Sequence, residues 1–189
     1  MGKIKVALPS MDARYKATAV YKPLYEMLHD WLLEYGYTDD FGTDKYMETL
    51  YSIEENPGGD LINIWWRLVK KDTGNSRITY HLNFEYLGIA VNDTEVKLQD
   101  KTIKAQKGEL NFFINAWVEL DYGNEWDNSP ILKFFTEFFK KRVWKKEMEM
   151  HKKLLYQEVY KFQGVMKQYF DMYQFMPEKN LFWVQKGYE

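Results

Sequence analysis

Between Asp60 and Tyr122 the chain alternates side chain by side chain, and no other stretch restricts its fold so tightly. From Ile78, the residues Ile78, Tyr80, Leu82, Phe84 and Tyr86 fall on one side, and Thr79, His81, Asn83 and Glu85 on the other. From Leu110, the residues Leu110, Phe112, Ile114, Ala116, Val118 and Leu120 oppose Asn111, Phe113, Asn115, Trp117 and Glu119. Successive side chains on a strand point to opposite faces, so each run presents an apolar face and a mixed one. Wound as a helix, the same runs would bury Asn, His and Glu without partners. They read as strands.

A third run of this kind sets Ile62, Ile64, Trp66 and Leu68 against Asn63, Trp65, Arg67 and Val69. Tyr46 to Glu54 is a less cleanly patterned strand, closed by the turn chemistry of Asn56-Pro57-Gly58-Gly59. Asp72 to Ser76 reads as a hairpin loop, Asn92-Asp93 and Asp100-Lys101 as turns around short strands, and Gly108 as a separator. Ahead of the meander, Ile4, Val6 and Leu8 make a short strand that Pro9 ends, whereas Ser10 to Ala19 shows no clear period. A helix starts at Lys22-Pro23, carries Leu24, Met27, Leu28, Trp31, Leu32 and Tyr35 at helical spacing, and stops at Gly36.

After a loop at 123–129, Asn128 or Ser129 can cap a helix whose first residue is Pro130. Through Tyr173 only Gly164 interrupts it; as one rod it would be ~66 Å long at ~1.5 Å per residue. Its apolar stripe changes phase. Ile131, Phe134, Phe135 and Phe138 share one face, and Trp144, Met148, Leu155, Val159, Phe162, Met166 and Tyr173 another, rotated by roughly 120°. Either the rod bends within 140–153, or its two halves dock on different partners. The second stripe is too apolar to leave in water and reads as a helix interface. Asn180 to Val184, with Leu181, Phe182, Trp183 and Val184, has strand-like composition and can add an edge to the sheet or to a neighbouring chain.

The expected fold is α+β: one antiparallel meander of about five or six strands, with an N-terminal helix and the long C-terminal helix on its apolar face. Residues 1–189 read as a single domain, with 140–176 a protruding or bent-back helical extension. The order strand, helix, antiparallel meander, long helix resembles the helix-grip arrangement. That resemblance implies a curved sheet wrapped around a long helix, enclosing an apolar cavity.

With no cysteine, disulfides, zinc–thiolate sites and thiol catalysis are excluded. The net charge of −2 argues against a protein that holds nucleic acid by bulk electrostatics. Stacking of single strands on the sheet is disfavoured further by Glu85 and Glu119. Charge is nevertheless polarised. Residues 26–60 hold ten acids and one base, a balance of −9, and 133–153 hold eight bases and three acids, a balance of +5. Those poles can meet within the chain or between copies. No segment approaches the ~20 apolar residues of a membrane span and none reads as a signal peptide, so the expectation is a soluble, cytoplasmic protein. The Lys/Arg run at 140–146 offers a weak peripheral contact to anionic membrane, against the plainer reading of a solvated helix face.

Catalytic and cofactor signals are thin. His29 and His151 read as surface residues, and His81 and Glu85 lie ~13 Å apart along one strand face, too far to share a metal ion unaided. No nucleophile or phosphate-loop motif appears, and no cofactor is implied. The candidate site is therefore the mixed sheet face, through Trp65, Arg67, His81, Asn83, Phe113, Asn115 and Trp117. Aromatics set among hydrogen-bonding groups suit a pocket or an interface. A second helix or the C-terminal tail covering this face is the competing explanation. Two functions follow. One is a non-enzymatic interaction or assembly protein that engages a protein partner or its own copies through the last helix and this face. The other is a carrier, sensor or enzyme with a small hydrophobic ligand between sheet and helix.

Overall fold

The computed structural model describes residues 3–75, 77–98, 101–121 and 130–173, with side chains of the last helix described from Lys145 to Met172. In chain order these form β1 (Lys3–Ala7), β2 (Met11–Ala19), α1 (Tyr21–Glu34), β3 (Glu48–Glu54), β4 (Asp60–Lys71), β5 (Ile78–Leu98), β6 (Lys101–Asp121) and α2 (Pro130–Tyr173). The fold is α+β. Six antiparallel strands make one sheet in the order β1-β6-β5-β4-β3, with β2 also pairing β6.

Pairing follows the alternation. Trp66 lies opposite Phe84 and Phe84 opposite Ile114, all buried, while Leu68, Leu82 and Ala116 form the next buried row. Helix α1 covers this face with Tyr21, Leu24, Leu28 and Leu32. It ends where Gly36 takes φ 80°, a left-handed conformation that costs a residue without Cβ little. There the Tyr37 amide donates to Leu32 O and the Gly36 amide to Leu33 O, both at 2.9 Å.

Three local expectations change. Met11 to Ala19, which shows no period when read on from β1, is strand β2. Between the pairs Val6–Val118 and Met11–Ile114 the edge strand takes five steps and β6 four, an insertion at Leu8–Ser10 that shifts the alternation by one. Pro9 sits in that insertion, where it needs no ladder N–H. The mixed face therefore takes Lys5 and Ala7 from β1 but Asp12 and Arg14 from β2.

Asn92-Asp93 is not a turn, nor does Gly108 separate strands. β5 and β6 run 21 residues each through a bulge between Ile89 and Asn92, where Ala90 has φ 51°. The bulge presses on its neighbours. A Cβ on Gly108 would lie 3.0 Å from Val91, and one on Gly59 would lie 2.7 Å from the carbonyl carbon of Ala90. Gly108 is thus a close-approach position within β6 rather than a strand end, while Gly59 closes the turn between β3 and β4 as the sequence suggests.

The largest correction concerns α2, one unbroken helix of 44 residues. Met148, Leu155, Val159, Phe162 and Met166, expected to face another molecule, are buried in the core of their own chain with Tyr169 and Phe170. Phe162 packs against Phe84 at 5.2 Å and Trp31 at 5.1 Å, and Phe170 stacks on Tyr15 at 4.2 Å. The described part of α2 crosses the sheet from Asn75, which bonds Glu147, to Tyr15, which stacks on Phe170. The side chains of Trp144, Ile131, Phe134, Phe135 and Phe138 lie outside the described residues, as do 122–129 and 181–184.

Candidate functional site

Register brings the seven singled-out residues onto one face, opposite both helices. Trp65, Glu85, Phe113 and Asp12 form one row across β4, β5, β6 and β2. Arg67, Asn83 and Asn115 form the next, and Val69, His81, Trp117 and Ala7 the one after. Trp65 remains 41% exposed and Phe113 37%, with Ile89 also exposed beyond them. No described helix lies over them.

Neighbouring rows hold one another by short polar and ring contacts. Arg67 Nη2 donates to Glu85 Oε1 at 2.8 Å, while its guanidinium lies 5.4 Å from the Trp65 ring centre. His81 stacks on Trp117 at 4.9 Å with the planes 7° apart, and the Lys5 ammonium lies 3.8 Å from the Trp117 ring centre. His81 Nε2 is 4.0 Å from Glu119. Cations over aromatic faces rigidify such a surface while leaving it partly apolar. At the β2 edge Glu109 meets Arg14 at 3.1 Å and Lys16 at 3.2 Å. Lys16, with Arg14 and Asn111 beside it, holds the Glu109 carboxyl below its ordinary range. The face thus offers ring planes, amides and internally matched charges. Among the described residues no group of three or more His, Asp or Glu is placed to hold a metal ion.

The apolar face carries a polar cluster that sequence reading missed. Lys70 Nζ donates to Glu158 Oε1 at 2.7 Å, and the Tyr37 hydroxyl donates to Glu158 Oε2 at 2.9 Å. Next to it, Tyr80 contacts both Asp72 and Nδ1 of His151, and Asn75 donates to Glu147 at 3.2 Å. His151, read as a surface residue, is buried. Burial first, then the Glu158 charge, pushes the Tyr37 phenol well up; burial and Asp72 do the same for Tyr80. The one usable signal was Lys70 itself, a charge on the apolar parity of β4. Its partners stand 88 residues away and could not be paired by pattern.

Between sheet and α2, rings pack on one another: Phe84 and Phe112 lie 5.8 Å apart, and Phe112 and Phe170 6.0 Å. No described helix is long and apolar enough to cross a membrane.

No family model matches this chain, and no curated protein matches it. Among solved structures, an uncharacterized protein from Rhizobium leguminosarum aligns at 10% identity, covering 74% of this chain and 99% of that one with a TM-score of 0.18. At that score the overlay carries no argument.

Proposed function

We propose that the protein is a non-catalytic interaction module whose open sheet face docks on a second copy of the chain. The observation behind this reading is that Trp65 and Phe113 stay exposed on a face where Arg67 pairs with Glu85, and Glu109 with Arg14 and Lys16. Docking two such faces strands no net charge, and a two-fold contact needs a surface complementary to itself. Size agrees. Five strands at ~4.8 Å and five rows at ~6.8 Å give a footprint on the order of 800 Å², close to the ~800 Å² per partner of a standard interface. Sedimentation at micromolar concentration tests it. The wild type should run as a dimer of twice 22.9 kDa, and Trp65→Ala with Phe113→Ala should run as a folded monomer. A monomeric wild type, or a dimer that ignores both substitutions, overturns the reading.

A further inference from the structure

The two edges of the sheet are not built alike. The β1–β2 edge carries Lys5, Pro9, Arg14, Lys16 and an inserted residue, all devices that discourage another strand from adding on. The β3 edge has neither Lys, Arg nor Pro within Glu48–Glu54 and, among the described residues, pairs with β4 alone. Further along, the same side of β4 is closed by backbone bonds from Thr38 to Val69 and from Arg67 to Met47. Among the described residues the open length is therefore Leu50–Glu54, where Tyr51 is 55% exposed and Ile53 48%.

Charge says what fits there. From 39 to 60 there are seven carboxylates and one lysine. Asp39 is committed to its own loop, accepting from the Phe41 amide at 2.9 Å and the Thr43 amide at 2.7 Å. Glu48 accepts from Tyr25 at 2.8 Å. Asp40 and Asp44 before the strand, and Glu54 and Glu55 at its end, are exposed and form no ion pair among the described residues. A second β3 is a poor guest: centred on Tyr51, an antiparallel copy sets Glu48 opposite Glu54 at both ends, and like charges directly opposite destabilise a pair.

We propose that the Leu50–Glu54 edge accepts an extended basic segment of another protein as an added strand. Main-chain bonds supply the affinity in this mode, and alternate side chains the selectivity. Lysines or arginines at the guest's ends would meet Asp44, Glu54 and Glu55, and its apolar residues would lie beside Tyr51 and Ile53. This edge borders the sheet face proposed above, with Leu50 paired to Trp65, but it binds through the outer backbone groups of β3 rather than through the face.

The test uses the full chain with two capped peptides, KVKVTVK and EVEVTVE, followed by hydrogen exchange and a binding titration. The basic peptide should slow exchange in 50–54 by about fivefold or more, and salt should weaken its binding. The acidic peptide should do neither. Glu54→Lys with Glu55→Lys should weaken the basic peptide about tenfold without changing the thermal melt. Absence of protection at 50–54, equal binding of both peptides, or protection confined to the Trp65 and Phe113 strands would overturn the proposal. So would protection at 50–54 that rises with protein concentration and needs no peptide, because the guest would then be a second copy.

Discussion

Asn83 and Asn111 occupy equivalent places in the alternation, yet they are not equivalent in the molecule. Asn83 is half-buried on the open face, whereas Asn111 is buried and accepts from Arg14 Nε at 2.9 Å. Parity gives the face of a residue; it does not reveal a partner 97 positions away. Phe112→Ala and Leu82→Ala should each cost about 2–5 kcal/mol in urea melts, the range for large-to-small changes at fully buried sites. Asn83→Ala should cost under about 0.5 kcal/mol, typical of a surface change, and Asn111→Ala about 1 kcal/mol through the lost hydrogen bond. If Asn83→Ala proved as damaging as Phe112→Ala, the two faces would have been exchanged.

At the scale of elements, strands with an even period and helix α1 with its glycine stop were legible because each obeys one rule along its whole length. β2 was not, since the insertion at Pro9 resets the parity halfway along a shared edge. The β5–β6 ribbon looked like short strands because a bulge and a turn use similar residues. For α2 the pattern identified an apolar stripe, but a stripe does not name what covers it. Phe162→Glu should therefore unfold the protein rather than release a folded smaller species. It would place a carboxylate between Trp31 and Phe84, a cost of several kcal/mol or a forced protonation. Circular dichroism with sedimentation checks this: a folded, soluble Phe162→Glu monomer would contradict the packing of α2.

For the whole molecule, tyrosine makes stability depend on alkaline pH. Burial raises Tyr21 from 10.0 to about 12. Burial also raises Tyr15, Tyr25, Tyr37, Tyr80 and Tyr86, with Glu48 adding to it at Tyr25 and Glu158 at Tyr37. Above about pH 10 the unfolded chain gives up phenol protons that the folded chain keeps. The native state then binds more protons, and stability falls as pH rises. Their contribution is complete below pH 10 and is lost as pH climbs through the raised folded values. Urea midpoints should be level between pH 8 and 9.5 and drop steeply by pH 11. A midpoint unchanged at pH 11 would mean these phenols ionise freely in the fold.

The place of α2 in the chain also has a consequence for synthesis on the ribosome. All six strands are complete at Asp121, but the side chains that roof their apolar face arrive between Met148 and Phe170, and the Tyr169 hydroxyl bonds Val20 across 149 residues. A nascent chain holding the finished sheet therefore carries Phe84 and Phe112 without their Phe162 and Phe170 neighbours until the helix emerges. At about 5–20 residues per second that interval lasts seconds, long enough for chaperones to engage and for neighbouring nascent chains to stick. Ribosome-bound chains carrying residues 1–125 followed by a linker that spans the exit tunnel should be captured by hydrophobic-binding chaperones far more strongly than chains carrying residues 1–189 and the same linker.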